Sequence, residues 1–272
     1  MADPQWLTKP FDECVTYIDQ SSMLVLLSRF AVTELRDNDP SWFGDEYAGI
    51  PRGGLNSDST LEREHDSEVI ADLARDEVSH DFALLHAHSM VGIWGAMDAW
   101  IHDLLAAWIR RVPQSFPQLA EFLGNARGQV RVKLEAQSLL HGTQDAVAST
   151  LVEAIVATLK DRGDRTRGVD WFEARLRAVG LGRCGEELPE SAGLLLSMEI
   201  VRHSYAHSAG HPAARDMRIL EDAGIWFDEG RIMVGSDEYD RYVEACLDYA
   251  RHVHKRVRAA LLDIRKRPTS PS

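Results

Sequence analysis

One apolar pattern in the middle of the chain constrains the fold more than any other feature of the sequence. Between residues 82 and 108, large apolar side chains recur at spacings that place them on one face of an α-helix. They are Phe82, Leu85, Ile93, Met97, Trp100, Ile101, Leu104, Leu105 and Trp108. Pro113 ends the pattern, because proline disrupts a helix interior. An apolar face of this length predicts a helix at the centre of a helical core.

Shorter patterns of the same kind predict helices along most of the chain. A first helix is expected from about residue 11 to 35, with Val15, Ile18, Leu26 and Phe30 on its apolar face. The other predicted helices cover about residues 129–140, 146–160, 171–179, 189–207 and 239–264. The sequence therefore predicts an all-α helical bundle, with the first helix packed on its side.

Two short extended segments interrupt the helical pattern in the last third of the chain. Residues 225–227 and 232–234 are rich in apolar side chains, and the segment that joins them contains Gly230. They predict a short β-hairpin directly before the C-terminal helix.

Composition divides the chain into three regions. Residues 1–66 contain the first helix and a long loop, in which residues 41–59 are rich in Gly, Ser, Asp and Pro but also in aromatic residues. Residues 67–264 form the predicted bundle. Residues 265–272 are basic and contain two prolines, and we expect a disordered tail there.

Bulk properties exclude several classes of protein. The 272-residue chain is 44% hydrophobic, which is ordinary for a globular protein. Its three cysteines lack metal-ligand spacing, which indicates a reducing cytoplasm and no disulfides. No signal peptide or membrane span is expected. A net charge of −13 argues against a protein that coats nucleic acid, and no cofactor is expected because no phosphate-binding or dinucleotide motif occurs.

The hexapeptide RHSYAH, residues 202–207, carries the clearest chemistry in the sequence. Arg202 supplies a permanent positive charge and a planar fork of donors that fits phosphate oxygens. His207 supplies an imidazole that can move a proton near neutral pH. RNA provides its own nucleophile, the 2′-hydroxyl, so these two groups suffice in principle for cleavage without a metal.

The segment MEIVRHSYAHSAG, residues 198–210, resembles the signature of the HEPN superfamily. Arg202 and His207 match its arginine and histidine, and His203 occupies a position where asparagine is commoner. The resemblance covers about residues 82–262 as architecture, whereas only residues 199–210 are specific in sequence. The first eighty residues have no counterpart.

The resemblance implies a metal-independent endoribonuclease, of the kind found among bacterial toxins and antiviral-defence effectors. It implies that Arg202 stabilises the phosphorane, that His207 is a general acid or base, and that His203, Glu199 and Tyr205 support them. It also implies a homodimer with an active site built from both copies, an RNA substrate, and possible control by a cognate antitoxin or defence-system partner. A catalytically silent dimerisation or interaction module of such a system is the alternative.

Other patterns admit metal chemistry, but each has an ordinary interpretation. His203, His207 and His211 stand four residues apart and could share a helix face as metal ligands, although Gly210 indicates that the helix ends before the third. Two Glu-x-x-His pairs, at residues 62–65 and 77–80, have the spacing of di-iron bundles but lie in a polar stretch. We therefore predict no metal site.

Basic residues between positions 251 and 258 make the C-terminal helix an exception in an acidic protein. Lys255 and Arg256 are the predicted RNA-backbone contacts within this stretch. A solvated helix face, with its cations near the C-terminus, explains the pattern equally well.

Overall fold

The computed structural model describes residues 3–37, 60–124, 144–162, 166–183 and 186–266. Within these ranges the α-helices are α1 (Gln5–Asp37), α2 (Thr60–Ser79), α3 (Ala83–Arg111), α4 (Phe116–Leu123), α5 (Gln144–Asp161), α6 (Val169–Ala178), α7 (Leu194–His207), α8 (Ala214–Asp222) and α9 (Ser236–Lys266). Short 3-10 helices cover Pro113–Ser115 and Glu190–Gly193, and the strands are β1 (Trp226–Asp228) and β2 (Arg231–Met233). The predicted all-α class with one hairpin before the last helix is confirmed. The helix predicted at 129–140 lies outside the described residues.

Helix α3 is the centre of the fold, as its apolar pattern predicts. Of the nine residues in that pattern, Leu85 is half-buried and the others are buried. Helices α1, α5, α7 and α9 pack around α3, so one core connects the first helix to the last.

Helix α1 runs antiparallel to α3. Near its start, the ring of Trp6 lies 6.4 Å from that of Trp108 at the end of α3. Near its end, the Arg29 guanidinium lies 5.1 Å from the ring of Phe82, which precedes α3. The predicted packing of the first helix on the side of the bundle therefore agrees with the structure.

The buried face of α1 differs from the predicted one. Ile18 is buried as predicted, together with Leu7, Cys14 and Val25, but Leu26 and Phe30 are 58% and 68% exposed. The prediction was wrong for these two residues because residues 23–27 are all apolar, so the pattern selects no single face there.

Helices α2 and α4 have no counterpart in the sequence prediction. The buried face of α2 contains the small residues Ala71 and Ala74, which give a weak apolar signal. Helix α4 has eight residues, which is too short for a clear periodicity.

A strained turn between α2 and α3 holds the start of α9. Asp81 and Phe82 both have left-handed backbone angles, with φ of 51° and 58°. The Asp81 carboxylate accepts hydrogen bonds from the backbone N–H of Ser236, at 2.6 Å, and from its hydroxyl, at 2.8 Å. A cap of this kind typically stabilises a helix by about 1 kcal/mol.

The hairpin is antiparallel, and its register places Trp226 opposite Met233 and Asp228 opposite Arg231. Glu229 and Gly230 form the two-residue turn, both with positive φ, as the tight turns favoured in hairpins require. No helix among the described residues has the length and apolarity needed to cross a membrane.

A buried ion pair joins α6 to α9. Both carboxylate oxygens of Glu173, which is 1% exposed, accept hydrogen bonds from Arg256 at 2.7 and 2.9 Å. The Tyr249 hydroxyl donates to the same carboxylate at 3.0 Å, and burial raises the pKa of that hydroxyl well above its usual value. This network satisfies a charge that would otherwise be costly in the core.

Candidate functional site

The RHSYAH motif occupies the last turns of α7, and the chain leaves the helix directly after it. The backbone N–H groups of Ser208 and Gly210 both donate to the carbonyl of Ser204, at 2.8 and 3.0 Å. Ala209 and Gly210 have φ of 49° and 88°, the left-handed geometry that ends many helices. The predicted position of the motif at a helix end is confirmed.

The two predicted catalytic residues project in different directions from α7. Arg202 is half-buried and His207 is exposed. Five residues correspond to a rotation of about 140° around a helix, so the two side chains leave opposite sides of it. The imidazole of His203 instead lies beside that of His207, with ring centroids 4.8 Å apart. Around the helix axis, the two histidines therefore lie closer to each other than either does to Arg202.

The predicted supporting residues Glu199 and Tyr205 bind other parts of the fold. The Glu199 carboxylate accepts a hydrogen bond from the backbone N–H of Gly168, at the start of α6. The Tyr205 hydroxyl donates to the carbonyl of Ile232 at 2.6 Å, which attaches the end of α7 to β2. Both residues thus fix the position of α7 against its neighbours.

A second group of polar side chains, which the sequence does not single out, lies on the other side of the α7 end. The guanidinium of Arg231 lies 5.7 Å from the Tyr205 ring centroid, and the His88 ring lies 5.8 Å from the same ring. Glu77 is close enough to both Tyr205 and Arg231 to affect them electrostatically, and burial raises its pKa. These residues come from α2, α3, α7 and β2, so no local motif could have revealed the group.

Arginines in this protein fall into two sets. Several have a carboxylate partner within ion-pair distance, namely Arg110, Arg167, Arg175, Arg183 and Arg256. In the part of the chain that the structure describes, neither Arg202 nor Arg231 forms an ion pair. A half-buried guanidinium without a carboxylate partner is suited to binding an external anion.

Of the two predicted RNA contacts on α9, one is exposed on the surface and the other is paired with a buried carboxylate. Lys255 is exposed, but Arg256 is only 7% exposed because Glu173 binds its guanidinium. The expected surface position of Arg256 was therefore wrong. Two neighbouring cations are also paired, Arg258 with Asp3 and Arg251 with Asp248.

The spacings that suggested metal sites do not gather ligands. His211 lies beyond the end of α7, and its Nδ1 is 3.1 Å from the carbonyl of Gly230. His80 contacts Asp76 and Asp228, while Glu77 accepts a hydrogen bond from the Leu85 backbone. The side chains of the other predicted pair, at positions 62 and 65, lie outside the described residues. Among the described side chains, no three His, Cys, Asp or Glu residues converge on one point.

An open groove of about 610 Å³ lies between α1, α3 and α5, and its lining includes Trp6, Lys9 and Arg111. It does not include the α7 motif. At the end of α7, His203 and His207 are exposed and Arg202 is half-buried.

Comparisons with protein-family models, with curated proteins and with solved structures found no match. A function for this chain must therefore be argued from its own residues. The end of α7 offers a permanent cation, two adjacent imidazoles on another side of the helix, and a second guanidinium nearby. The cations can bind a phosphate group, and the imidazoles can transfer protons.

Proposed function

We propose that this protein is a cytoplasmic, metal-independent endoribonuclease of the HEPN type, acting as a bacterial toxin or antiviral-defence effector. The observation that carries the proposal is that Arg202 and His207 lie in the last turns of α7, where His207 is exposed and no described carboxylate pairs with the half-buried arginine. Arg202 and His207 are the catalytic residues in this scheme. No cofactor takes part.

The reaction requires only groups that the motif supplies. The 2′-hydroxyl oxygen of a ribose attacks the adjacent phosphorus as its proton passes to a base, and the bond from phosphorus to the 5′-oxygen breaks as that oxygen receives a proton. The products are a 2′,3′-cyclic phosphate and a 5′-hydroxyl. His207 transfers one of these protons, and Arg202 stabilises the charge on the non-bridging oxygens.

A homodimer with a shared active site is part of the proposal. Within one copy, Arg202 and His207 leave α7 about 140° apart, so a single helix does not direct both toward one phosphate. Two copies packed through the ends of α7 would bring Arg202 of one copy toward His207 of the other. This arrangement would also place both His203 side chains at the shared site.

The experiment measures degradation of a defined RNA in the presence of a chelator. Arg202→Ala and His207→Ala should each reduce cleavage by roughly 10²- to 10⁴-fold, the usual effect of losing a general acid or base or a charge clamp. Arg218→Ala and His102→Ala are matched controls, because both lie outside the motif, on α8 and α3. Equal activity in all five proteins would contradict the proposal.

The alternative function is a non-enzymatic interaction module, which one observation favours. The outer face of α1 exposes Met23, Leu24, Leu26, Leu27 and Phe30, each more than half exposed. A cluster of exposed apolar side chains on one helix often marks an interaction site. A cognate antitoxin or a defence-system component is the partner that this alternative requires.

Light scattering on the purified protein addresses the alternative. Under the dimerisation form of the alternative, the wild type is inactive on RNA and self-associates, Phe30→Glu loses self-association, and Phe116→Glu keeps it. Phe116 is a matched control because it is 48% exposed on α4, away from α1. Cleavage that depends on Arg202 would reject the alternative as the main function.

A further inference from the structure

One face of the hairpin carries side chains that the proposed reaction leaves unused. Directly opposite residues of an antiparallel pair share a face, so Trp226 and Arg231 lie on the same side as Asp228. We propose that Arg231 and Trp226 form a nucleotide-binding subsite, in which the guanidinium binds a phosphate and the indole stacks on a base of single-stranded RNA. The choice of RNA as ligand rests on the proposed function.

Packing holds Arg231 in place before any ligand binds. Its guanidinium lies over the Tyr205 ring, and its Nε is buried without a hydrogen-bond partner among the described residues. A Cβ on Gly210 would come within 2.9 Å of the Arg231 Cγ, so the glycine leaves room for this side chain. A guanidinium held in this way loses little conformational freedom when it binds a phosphate.

Trp226 provides the apolar half of the subsite. It is 41% exposed, in a strand where Phe227 is half-buried and Asp228 is exposed, and its ring stacks on that of His80 with centroids 6.1 Å apart. Base stacking on an aromatic side chain tolerates any sequence and is common in single-strand binding. Diagonal neighbours across a strand pair are separated by about 7–8 Å, which one nucleotide can span from base to phosphate.

Two carboxylates lie near Arg231. Glu77 acts on it electrostatically, but burial raises the pKa of Glu77, and the two residues form no ion pair within the described part of the chain. Asp228 lies directly opposite Arg231, but its carboxylate contacts the Nε2 of His80, at 3.8 Å, and forms no ion pair with the arginine within the described residues. The exposed imidazole of His88 borders the same Tyr205 ring. The subsite thus adjoins the end of α7 on the side opposite His203 and His207.

The test measures binding of a fluorescein-labelled 2′-O-methyl oligoribonucleotide, which cannot be cleaved because its 2′-oxygens carry no proton. Arg231→Gln should weaken binding roughly tenfold or more and reduce its salt dependence by about one counterion. Trp226→Ala should weaken oligonucleotide binding about fivefold or more, and Trp226→Phe should keep most of the wild-type affinity.

Two controls separate this subsite from general effects of charge and surface area. Arg218→Gln removes a cation whose side chain is 90% exposed on α8, and Phe116→Ala removes an exposed aromatic ring on α4. Both should bind the oligonucleotide within twofold of the wild type. Thermal melting of each variant verifies folding. Arg231→Lys is a second variant at the same position, which keeps the positive charge but loses the planar fork of donors. It should bind with intermediate affinity.

The subsite is overturned if Arg231→Gln and Trp226→Ala bind like the wild type, if Arg218→Gln weakens binding equally, or if the wild type does not bind. These outcomes can be distinguished from failure of the nuclease proposal. Cleavage that depends on Arg202, with unchanged binding in Arg231→Gln, would reject the subsite alone. Binding that depends on Arg231, without any cleavage, would reject the nuclease and retain the subsite.

Discussion

Glu173 and Arg256 meet in the interior between α6 and α9, whereas Arg202 and Arg231 stand on either side of the α7 end. In the interior, each charged group has its partner, because both carboxylate oxygens bind the guanidinium and Tyr249 donates to the same carboxylate. Around α7, no described carboxylate lies within ion-pair distance of either arginine, although Glu77 acts on Arg231 electrostatically. The residue types are similar, but only the second region has binding capacity left for a ligand.

Removing the interior carboxylate should have the largest effect on stability. Glu173→Ala leaves Arg256 buried without its partner, and we expect the free energy of unfolding to fall by about 3–5 kcal/mol. Arg202→Ala should change it by less than about 0.5 kcal/mol, because no ion pair is lost. Urea unfolding of both variants makes the comparison. Similar losses in the two proteins would show that the regions do not differ as described.

Gly210 affects both the stability of the protein and the position of Arg231 beside the end of α7. Its φ of 88° is unfavourable for any side chain, and the Cβ of alanine would collide with Arg231. Gly210→Ala should therefore lower the free energy of unfolding by about 1–3 kcal/mol and displace the guanidinium. Thermal melting measures the first effect and oligonucleotide binding the second. Gly193→Ala is the control, since a Cβ there meets nothing within 4 Å. If Gly210→Ala melts like Gly193→Ala, the close packing of Arg231 is not as described.

A smaller effect, on pH dependence, concerns a histidine in the interior. His86 is fully buried, its Nδ1 lies 2.9 Å from the carbonyl of Val234, and burial lowers its pKa, aided by the charge of Arg29. The hydrogen bond to Val234 and the charges of Asp81 and Asp240 raise the pKa of His86, but the net change is a decrease. Burial also lowers the pKa values of His252 and His254.

The direction in which stability changes with pH follows from proton binding by these histidines. Below the unfolded value of about 6.5, the unfolded chain binds a proton that the folded protein excludes, so stability falls as the pH decreases toward the folded pKa. The loss amounts to about 1.4 kcal/mol for each pH unit between the two values. His86→Gln keeps a donor for Val234 and should flatten part of the slope in urea titrations between pH 8 and 5. An unchanged slope would assign the whole effect to the other two histidines.

The sequence predicts the elements whose burial pattern has one dominant face. Helix α3 shows this best, since eight of its nine predicted apolar residues are buried. The hairpin is also predicted, because its turn requires Gly230. The pattern fails in the second half of α1, where apolar residues occur on all sides and only tertiary contacts select the buried face.

In the candidate site, too, the sequence predicts local features but not contacts between residues that are distant in the chain. The position of Arg202 and His207 at a helix end could be predicted, because Gly210 marks the stop. The burial of Arg256 could not, since it depends on Glu173, which is 83 residues away in the chain. For the same reason the neighbourhood of Arg231 is visible only in three dimensions.

The cap that Asp81 provides for α9 has a consequence for how the chain folds. It joins positions 155 residues apart, and the contacts of Asp3 with Arg258 and of Phe11 with His254 span still longer separations. Such contacts form only after a large loop has closed, so we expect slower folding than for a bundle of sequential hairpins. They also attach α1 to α9, so we expect that truncation of either helix would destabilise the other.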